Sequence, residues 1–517
     1  MTTAERLTPF VVVVTAILAG VNALDASPIG VFYDDAHYVI LGKAIALGEG
    51  YRYINLPGAP AATHFPPGYP ALLALLWRIS PVFPENLALF KTTNAVLLGA
   101  LALGAYVAAR RWLDLRPVAA GAAALACTVA IPALLLSSNV MSETMLLALL
   151  LPLLLLAEDS SARPSLRSAI AVGVLTGAAC LVRTHSIVLF PAIAVAFWSR
   201  RRMREGVVAI VTGVLVLLPW LIWVRQQDPR VPSQLHGQYG SYLAWFARGL
   251  QAEGPSLLVT SLRDNIVTSW AIIARSFSLA RHPVLDTLAV VSVITLLVAG
   301  AFALAHRARV MLAFLALYLG LILVWPFSPL RFVWGVWPLL VLTMIGGALY
   351  LWRAPFRPRL ARAVCIASSA VTMAGALFFT VQGYRNAWWA TVSRSYAPRI
   401  QPQLVWVTAN TQPSDVVVTD DEGAVYLYTG RRALPVSPFT AEQYIRQRPL
   451  EQNADWLAET LRVFSPAYVI AWAKPTIDAA EMLVSRRPPA LVQADTIPTG
   501  RVYRRATAPA SEPSPPR

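Results

Sequence analysis

The sequence predicts an α-helical polytopic membrane protein with about eleven transmembrane helices and a C-terminal extracytoplasmic α/β domain. Three observations carry that prediction. Of the 517 residues, 56% are hydrophobic and only 14% are charged, where a soluble chain carries about 25% charged residues. Apolar stretches of about 20 residues, enough to cross a bilayer, recur from residue 9 to residue 382. Beyond residue 382 the composition becomes that of a soluble region.

The predicted spans are 8–25, 87–108, 117–136, 143–157, 168–182, 187–198, 207–224, 286–305, 310–326, 333–351 and 364–382. A single broken helix could replace the fifth and sixth. The first run, PFVVVVTAILAGVNAL, lacks the strongly basic start of a signal peptide and reads as a retained span. Charge sets the orientation. Loops on one side hold fifteen arginines, whereas the three short loops on the other hold only Arg183 and Arg331. The positive-inside rule then places the N-terminus inside and the C-terminal region outside. The same bias accounts for much of the net charge of +16 without a nucleic-acid partner. Cys127, Cys180 and Cys365 all lie in apolar runs and read as small buried residues, not as a disulfide or metal framework.

This map defines a transmembrane region, 1–382, with large outside loops at 26–86 and 225–285. The second loop contains QLHGQYGSYLAWFARGL, whose aromatics fit either an interfacial helix or a substrate wall. Residues 383–505 read as the α/β domain, with strands at SDVVVTDD and PAYVIAW and helices at AEQYIRQ and NADWLAETLRVF. TDDEG, at 419–423, reads as a solvated turn. Residues 506–517 are rich in Pro, Ser and Ala and read as a disordered tail.

Candidate chemistry gathers on the outside face. Asp34 and Asp35 open a segment with apolar Val39, Ile40, Ala44 and Leu47, a spacing that predicts an amphipathic helix on the membrane surface. Acids at a helix start are also a common structural device. On the same side lie Glu143, Arg183, His185, Arg331 and His64. Such groups near span ends can be interface anchors, but acids and bases gathered at one face suit a lipid phosphate bearing a sugar. Arginines would hold the phosphate, and a carboxylate would deprotonate an acceptor hydroxyl. No Walker sequence, dinucleotide fingerprint or serine nucleophile elbow is present.

The motifs YDDAHY, GEGYRY and HFPPGYP in the first outside loop resemble those of the polytopic C-type (GT-C) glycosyltransferases, in the protein O-mannosyltransferase and aminoarabinose-lipid A transferase branch. The resemblance implies Asp34 as catalytic carboxylate, Asp35 as its acidic neighbour and alternative base, Tyr38 as the following aromatic, and Glu143 as a second acid. LVRTH and PLRFVWGVWPLL resemble the family's Arg-containing segments, which makes Arg183 and Arg331 lipid-phosphate or structural residues. The acid and lysine that the aminoarabinose transferases carry before the proline late in this loop are absent here, and His64, Arg183 or Arg331 could take that role. His185 is a further candidate contact. The resemblance implies a polyprenyl-phosphate-linked sugar donor, inversion, an extracytoplasmic acceptor and the bacterial inner membrane. It leaves sugar and acceptor open. A divalent cation held by Asp34, Asp35 and Glu143 is also left open. The alternative class is a lipid or solute transporter or flippase, which would show repeats and polar groups near the midplane. No internal repeat is visible.

Overall fold

The structure, a computed structural model, describes residues 3–506 apart from 27, 164 and 356. The expected tail therefore lies outside the described residues, apart from Ala506. Helix α1 (Thr3–Asn22) is followed by two helices of the first loop, α2 (Asp34–Ala46) and α3 (Gly68–Ile79). The bundle continues with α4 (Leu87–Trp112), α5 (Pro117–Thr128), α6 (Ile131–Ser138), α7 (Ser142–Ala162), α8 (Leu166–Val182), α9 (Leu189–Ser199) and α10 (Met203–Gln227). The second loop folds into α11 (His236–Tyr239), α12 (Tyr242–Glu253) and α13 (Ser256–Phe277). Then come α14 (Pro283–Leu304), α15 (Arg309–Val324), α16 (Leu330–Trp334), α17 (Trp337–Arg353) and α18 (Pro358–Arg385).

All eleven expected spans fall on helices. Among the described residues, six helices are long and apolar enough to cross a membrane, and a seventh span is counted if α5 and α6 are joined. These two meet at a 56° bend, with Pro132 in the first turn of α6. A proline is tolerated at a helix start but cannot continue a hydrogen-bonded ladder. The fifth and sixth expected spans are α8 and α9, parted at Arg183 by extended backbone and a short 3-10 turn. Small residues let helices approach closely in a bilayer. A Cβ added at Gly300 or Gly347 would fall 1.9 Å from the Thr343 or Leu296 carbonyl oxygen, so α14 and α17 touch backbone to backbone.

Three expectations are corrected. Helix α2 does not lie on a membrane surface: nine of its 13 residues are buried, including Asp35, His37 and Tyr38. It is covered by α3 on one side and by the C-terminal region on the other, as the close approach of Gly42 to Leu73 and of Gly423 to Ala36 shows. Helix α13 was not expected, because its charges at Arg263 and Asp264 interrupt the apolar pattern. AEQYIRQ forms only a 3-10 turn over Ala441–Tyr444.

Past α18 the chain runs through α19 (Thr391–Asn410) into a five-stranded sheet. The strands are β1 (Val416–Thr419), β2 (Arg432–Pro435), β3 (Tyr468–Ala471), β4 (Leu491–Ile497) and β5 (Gly500–Arg505), in the order β2-β1-β3-β5-β4. β1 is parallel to β2 and β3, whereas β5 pairs antiparallel with β3 and β4. Helices α20 (Glu422–Thr429), α21 (Leu450–Phe464) and α22 (Lys474–Ser485) flank it. The expected strands at 416–419 and 468–471 are the parallel pair β1 and β3. Val418 and Val469 of these strands share one buried cluster with Tyr38, Tyr53 and Phe65 of the first loop. The sheet is thereby packed onto the loop that carries Asp34.

Candidate active site

A cavity of about 220 Å³ opens between the start of α2, the break after α8, the start of α12, and α16. Six residues singled out in the sequence line it: Asp34, Tyr38, His64, Arg183, His185 and Arg331. They come from segments up to 297 positions apart, as the Asp34–Arg331 pair shows. Asp34, Arg183 and Arg331 sit where regular structure starts or breaks. Asp34 is the first residue of α2, Arg183 follows the last residue of α8, and Arg331 is in the single-turn helix α16. Ends of elements leave side chains free to converge on a common space.

The charges form a lattice. Arg331 forms an ion pair with the Asp34 carboxylate through Nη2, and its Nε lies 3.2 Å from Glu143 Oε1. Arg183 Nη1 lies 2.9 Å from the same Glu143 oxygen and donates to Ser142 Oγ at 3.0 Å. Ser142 Oγ also bonds the Tyr38 hydroxyl at 3.0 Å. The guanidinium N–H groups near Glu143 are not aligned with its oxygens as hydrogen bonds, so that attraction is mainly Coulombic. Glu143 stands in the first turn of α7, where the helix dipole favours a negative charge. It lies behind the two arginines and is not in the cavity lining. Asp34 is the carboxylate that reaches the open space.

Asp35 is placed differently from its expected role as alternative base. It is 2% exposed and accepts from the backbone N–H groups of Gly30 (2.9 Å), Phe32 (3.2 Å) and Ala36 (3.0 Å). Burial pushes its carboxyl up to about 6, partly offset by those three donors. The structural role that acids take at a helix start belongs to Asp35, which leaves Asp34 free to face the cavity. The three carboxylates do not converge on a cation: Arg331 sits between Asp34 and Glu143, and Asp35 faces the backbone. Among the described residues, no three His, Cys, Asp or Glu side chains gather as a metal site.

His64 donates from Nδ1 to the Gly240 carbonyl at 2.7 Å, which leaves Nε2 as an acceptor. Burial lowers its pKa, so the ring is neutral at pH 7. It packs against Tyr242 with ring centroids 3.9 Å apart. His185 lies against Phe332 and Trp325. The remaining wall is aromatic and was only partly legible. Tyr242 and Trp245 come from the QLHGQYGSYLAWFARGL stretch, which sequence alone left between two readings. Trp325 and Phe327 had no sequence signal beyond an aromatic near a span end, and Phe439, from the C-terminal region, had none. Beside this cavity lies a second, apolar one of about 200 Å³ between α13, α14, α15 and α17. Helix α16 separates the two: Arg331 and Phe332 face the first, Val333 and Trp334 the second.

No family model and no curated protein matches the chain. Solved structures do. The crystal structure of ArnT from Cupriavidus metallidurans in the apo state aligns with a TM-score of 0.52 at 13% identity, covering 96% of this chain and 97% of that one. The structure of ArnT from the same organism bound to undecaprenyl phosphate aligns with a TM-score of 0.47 at 14% identity, covering 97% and 98%. The chain therefore shares the ArnT fold, the polytopic C-type architecture that the sequence predicts, over nearly its whole length.

Proposed function

We propose that the chain is an integral-membrane glycosyltransferase that moves a sugar from a polyprenyl-phosphate donor to an extracytoplasmic acceptor with inversion. One observation carries this reading. A single carboxylate, Asp34, and two arginines, Arg183 and Arg331, line one cavity at the end of a transmembrane bundle. In this reading the donor's phosphate lies against the arginines and its sugar against the aromatic wall. The polyprenyl tail enters the neighbouring apolar cavity. The bacterial inner membrane, with a cytoplasmic N-terminus and residues 383–505 outside as an acceptor-selecting domain, belongs to the same proposal.

The chemistry is a single displacement. The acceptor oxygen attacks the anomeric carbon while its proton passes to the Asp34 carboxylate. The bond from that carbon to the phosphate oxygen breaks, and the phosphate leaves with the electron pair. Charge-assisted hydrogen bonds from arginine stabilise the leaving oxyanion. The ion pair between Asp34 and Arg331 gives the donor a second task. A phosphate competing for Arg331 weakens its hold on Asp34 when the donor is bound, and the carboxylate is then released toward the acceptor. Glu143 keeps both arginines turned toward the cavity.

The test is transfer or hydrolysis of radiolabelled sugar by purified protein, offered a panel of polyprenyl-phosphate sugars. Turnover with one of them identifies the donor. Absence of turnover with every donor, together with lipid movement across reconstituted vesicles, would replace the enzyme by a transporter.

A further inference from the structure

Glu422 belongs to the TDDEG stretch, which the sequence predicts to be a solvated turn. It is instead 1% exposed and opens α20, the helix that packs against α2. Its Oε1 accepts from the Tyr33 hydroxyl at 2.8 Å and from the Tyr239 hydroxyl at 2.9 Å. Tyr239 Oη lies 3.2 Å from His37 Nε2, and His37 Nδ1 donates to the Tyr33 carbonyl at 2.8 Å. The contacts close a ring: Tyr33, Glu422, Tyr239, His37 and back to Tyr33. Three separate parts of the chain are tied by it, namely the first loop, the second loop and the C-terminal sheet region.

What the ring grips is strained. Tyr33 has φ 65° and ψ −57°, and the N–H of Asp34 bonds the Phe32 carbonyl across it at 2.7 Å. This is a γ-turn of the positive-φ kind, which a bulky L residue adopts only where surrounding structure enforces it. Residue 34, the candidate base, is the next in the chain. Backbone strain beside a cavity carboxylate is a feature to be explained. The ring supplies the enforcement by fixing Tyr33 at both ends, through its hydroxyl and through its carbonyl.

We propose that Glu422 is a positioning residue for the reaction: from the C-terminal sheet region it holds the Tyr33 turn in the shape that aims Asp34 into the cavity. The inference rests on the proposed role of Asp34 as base. It gives the sheet region a task apart from acceptor selection. The Tyr239 hydroxyl has one proton, yet faces acceptors on both His37 and Glu422, so one further proton is needed to close both contacts. Burial favours Glu422 as its carrier, raised to about 7, over His37, lowered to about 4.

The test uses the full chain in detergent with Glu422→Ala, Glu422→Gln, Tyr33→Phe, and Glu422→Ala combined with Tyr33→Phe. Two readouts are taken: steady-state transfer from a polyprenyl-phosphate sugar, and hydrogen–deuterium exchange of the amides of 29–37. In Glu422→Ala, kcat per folded protein falls about tenfold or more while KM for the donor stays within about twofold. Exchange over 29–37 accelerates in the same variant. Glu422→Gln, which keeps an acceptor for Tyr33, retains most activity, and the double variant is no worse than the weaker single one. Unchanged exchange over 29–37 in Glu422→Ala overturns the proposal. So does a loss of activity that only follows the loss of folded protein. If the parent turns over no donor, the glycosyltransferase reading fails and takes the catalytic half of the proposal with it. Faster exchange would then still establish the clasp on Tyr33.

Discussion

Replacing Glu143 leaves a buried cation, Arg183, and a partly buried one, Arg331, short of their shared anion. Its side chain is 3% exposed, Arg183 is 8% exposed, and Arg331 is 18% exposed. Removing one member of a buried pair costs about 3–5 kcal/mol, because the remaining charge stays desolvated. The two arginines differ in what remains to them. Arg331 keeps Asp34, whereas Arg183 keeps the Ser142 hydroxyl. Arg183 thus carries most of the penalty, and water in the adjoining cavity moderates it. We expect Glu143→Gln to lower stability by about 3 kcal/mol, near the lower end of that range. Arg183→Met should cost a similar amount, since Glu143 then retains only Arg331. The double variant removes both charges, so it should be more stable than the sum of the singles by about 2 kcal/mol. Thermal or denaturant unfolding of the four detergent-solubilised proteins measures that coupling. Effects that add to within about 0.5 kcal/mol would refute the lattice as described.

Three further outcomes follow from the same geometry. Glu422 is pushed from 4.5 to about 7 by burial, so the folded chain binds its proton more tightly than the unfolded chain between those pH values. Relative to Glu422→Gln, parental stability should fall by roughly 3 kcal/mol as pH rises through that window and be level above it. Unfolding measured across pH for both proteins checks the sign, and equal slopes would contradict it. Arg331→Lys keeps the charge but loses the fork that meets Asp34 and Glu143 together, so kcat/KM should fall about a hundredfold. Kinetics matching the parent would remove Arg331 from the site. Leu297→Trp fills part of the apolar cavity, so KM should rise about tenfold for a full-length polyprenyl donor and stay unchanged for a short-chain analogue. Equal effects on the two donors would place the tail elsewhere.

The membrane architecture was legible because bilayer insertion imposes long apolar runs, and among the described residues those runs mark the six helices long enough to cross; the other expected spans fall on shorter apolar helices or on the bent pair α5 and α6. The cavity residues were legible through chemistry rather than pattern: ionisable groups beside apolar segments are costly, and Asp34, Arg183 and Arg331 meet at one face. The sequence could not distinguish Asp34 from Asp35. That choice is made by the Tyr33 turn, which directs Asp35 to the backbone of 30–36 and Asp34 to the cavity. Nor could it reveal that α2 is enclosed, because the cover comes from α20, nearly 400 positions later, as the Ile29–Tyr428 hydrogen bond shows. Glu422 was misread for the same reason. An acidic run after a strand looks solvated unless its distant partners, Tyr33 and Tyr239, are known. The second-loop aromatics were visible as a cluster, but their direction toward His64 depends on the fold of 228–242 around Asp228. That carboxylate accepts from Thr63 and from the backbone and hydroxyl of Ser241.

The most direct measurement compares sugar transfer by Asp34→Asn and by the parent protein, with the active polyprenyl-phosphate donor and with folding and donor binding measured alongside. Asparagine keeps the shape of the side chain but accepts no proton at neutral pH. A general-base role predicts a kcat at least about a hundredfold lower, with the protein still folded and still binding donor. Equal turnover in the two proteins would remove Asp34 from the chemistry and contradict the mechanism proposed for this cavity.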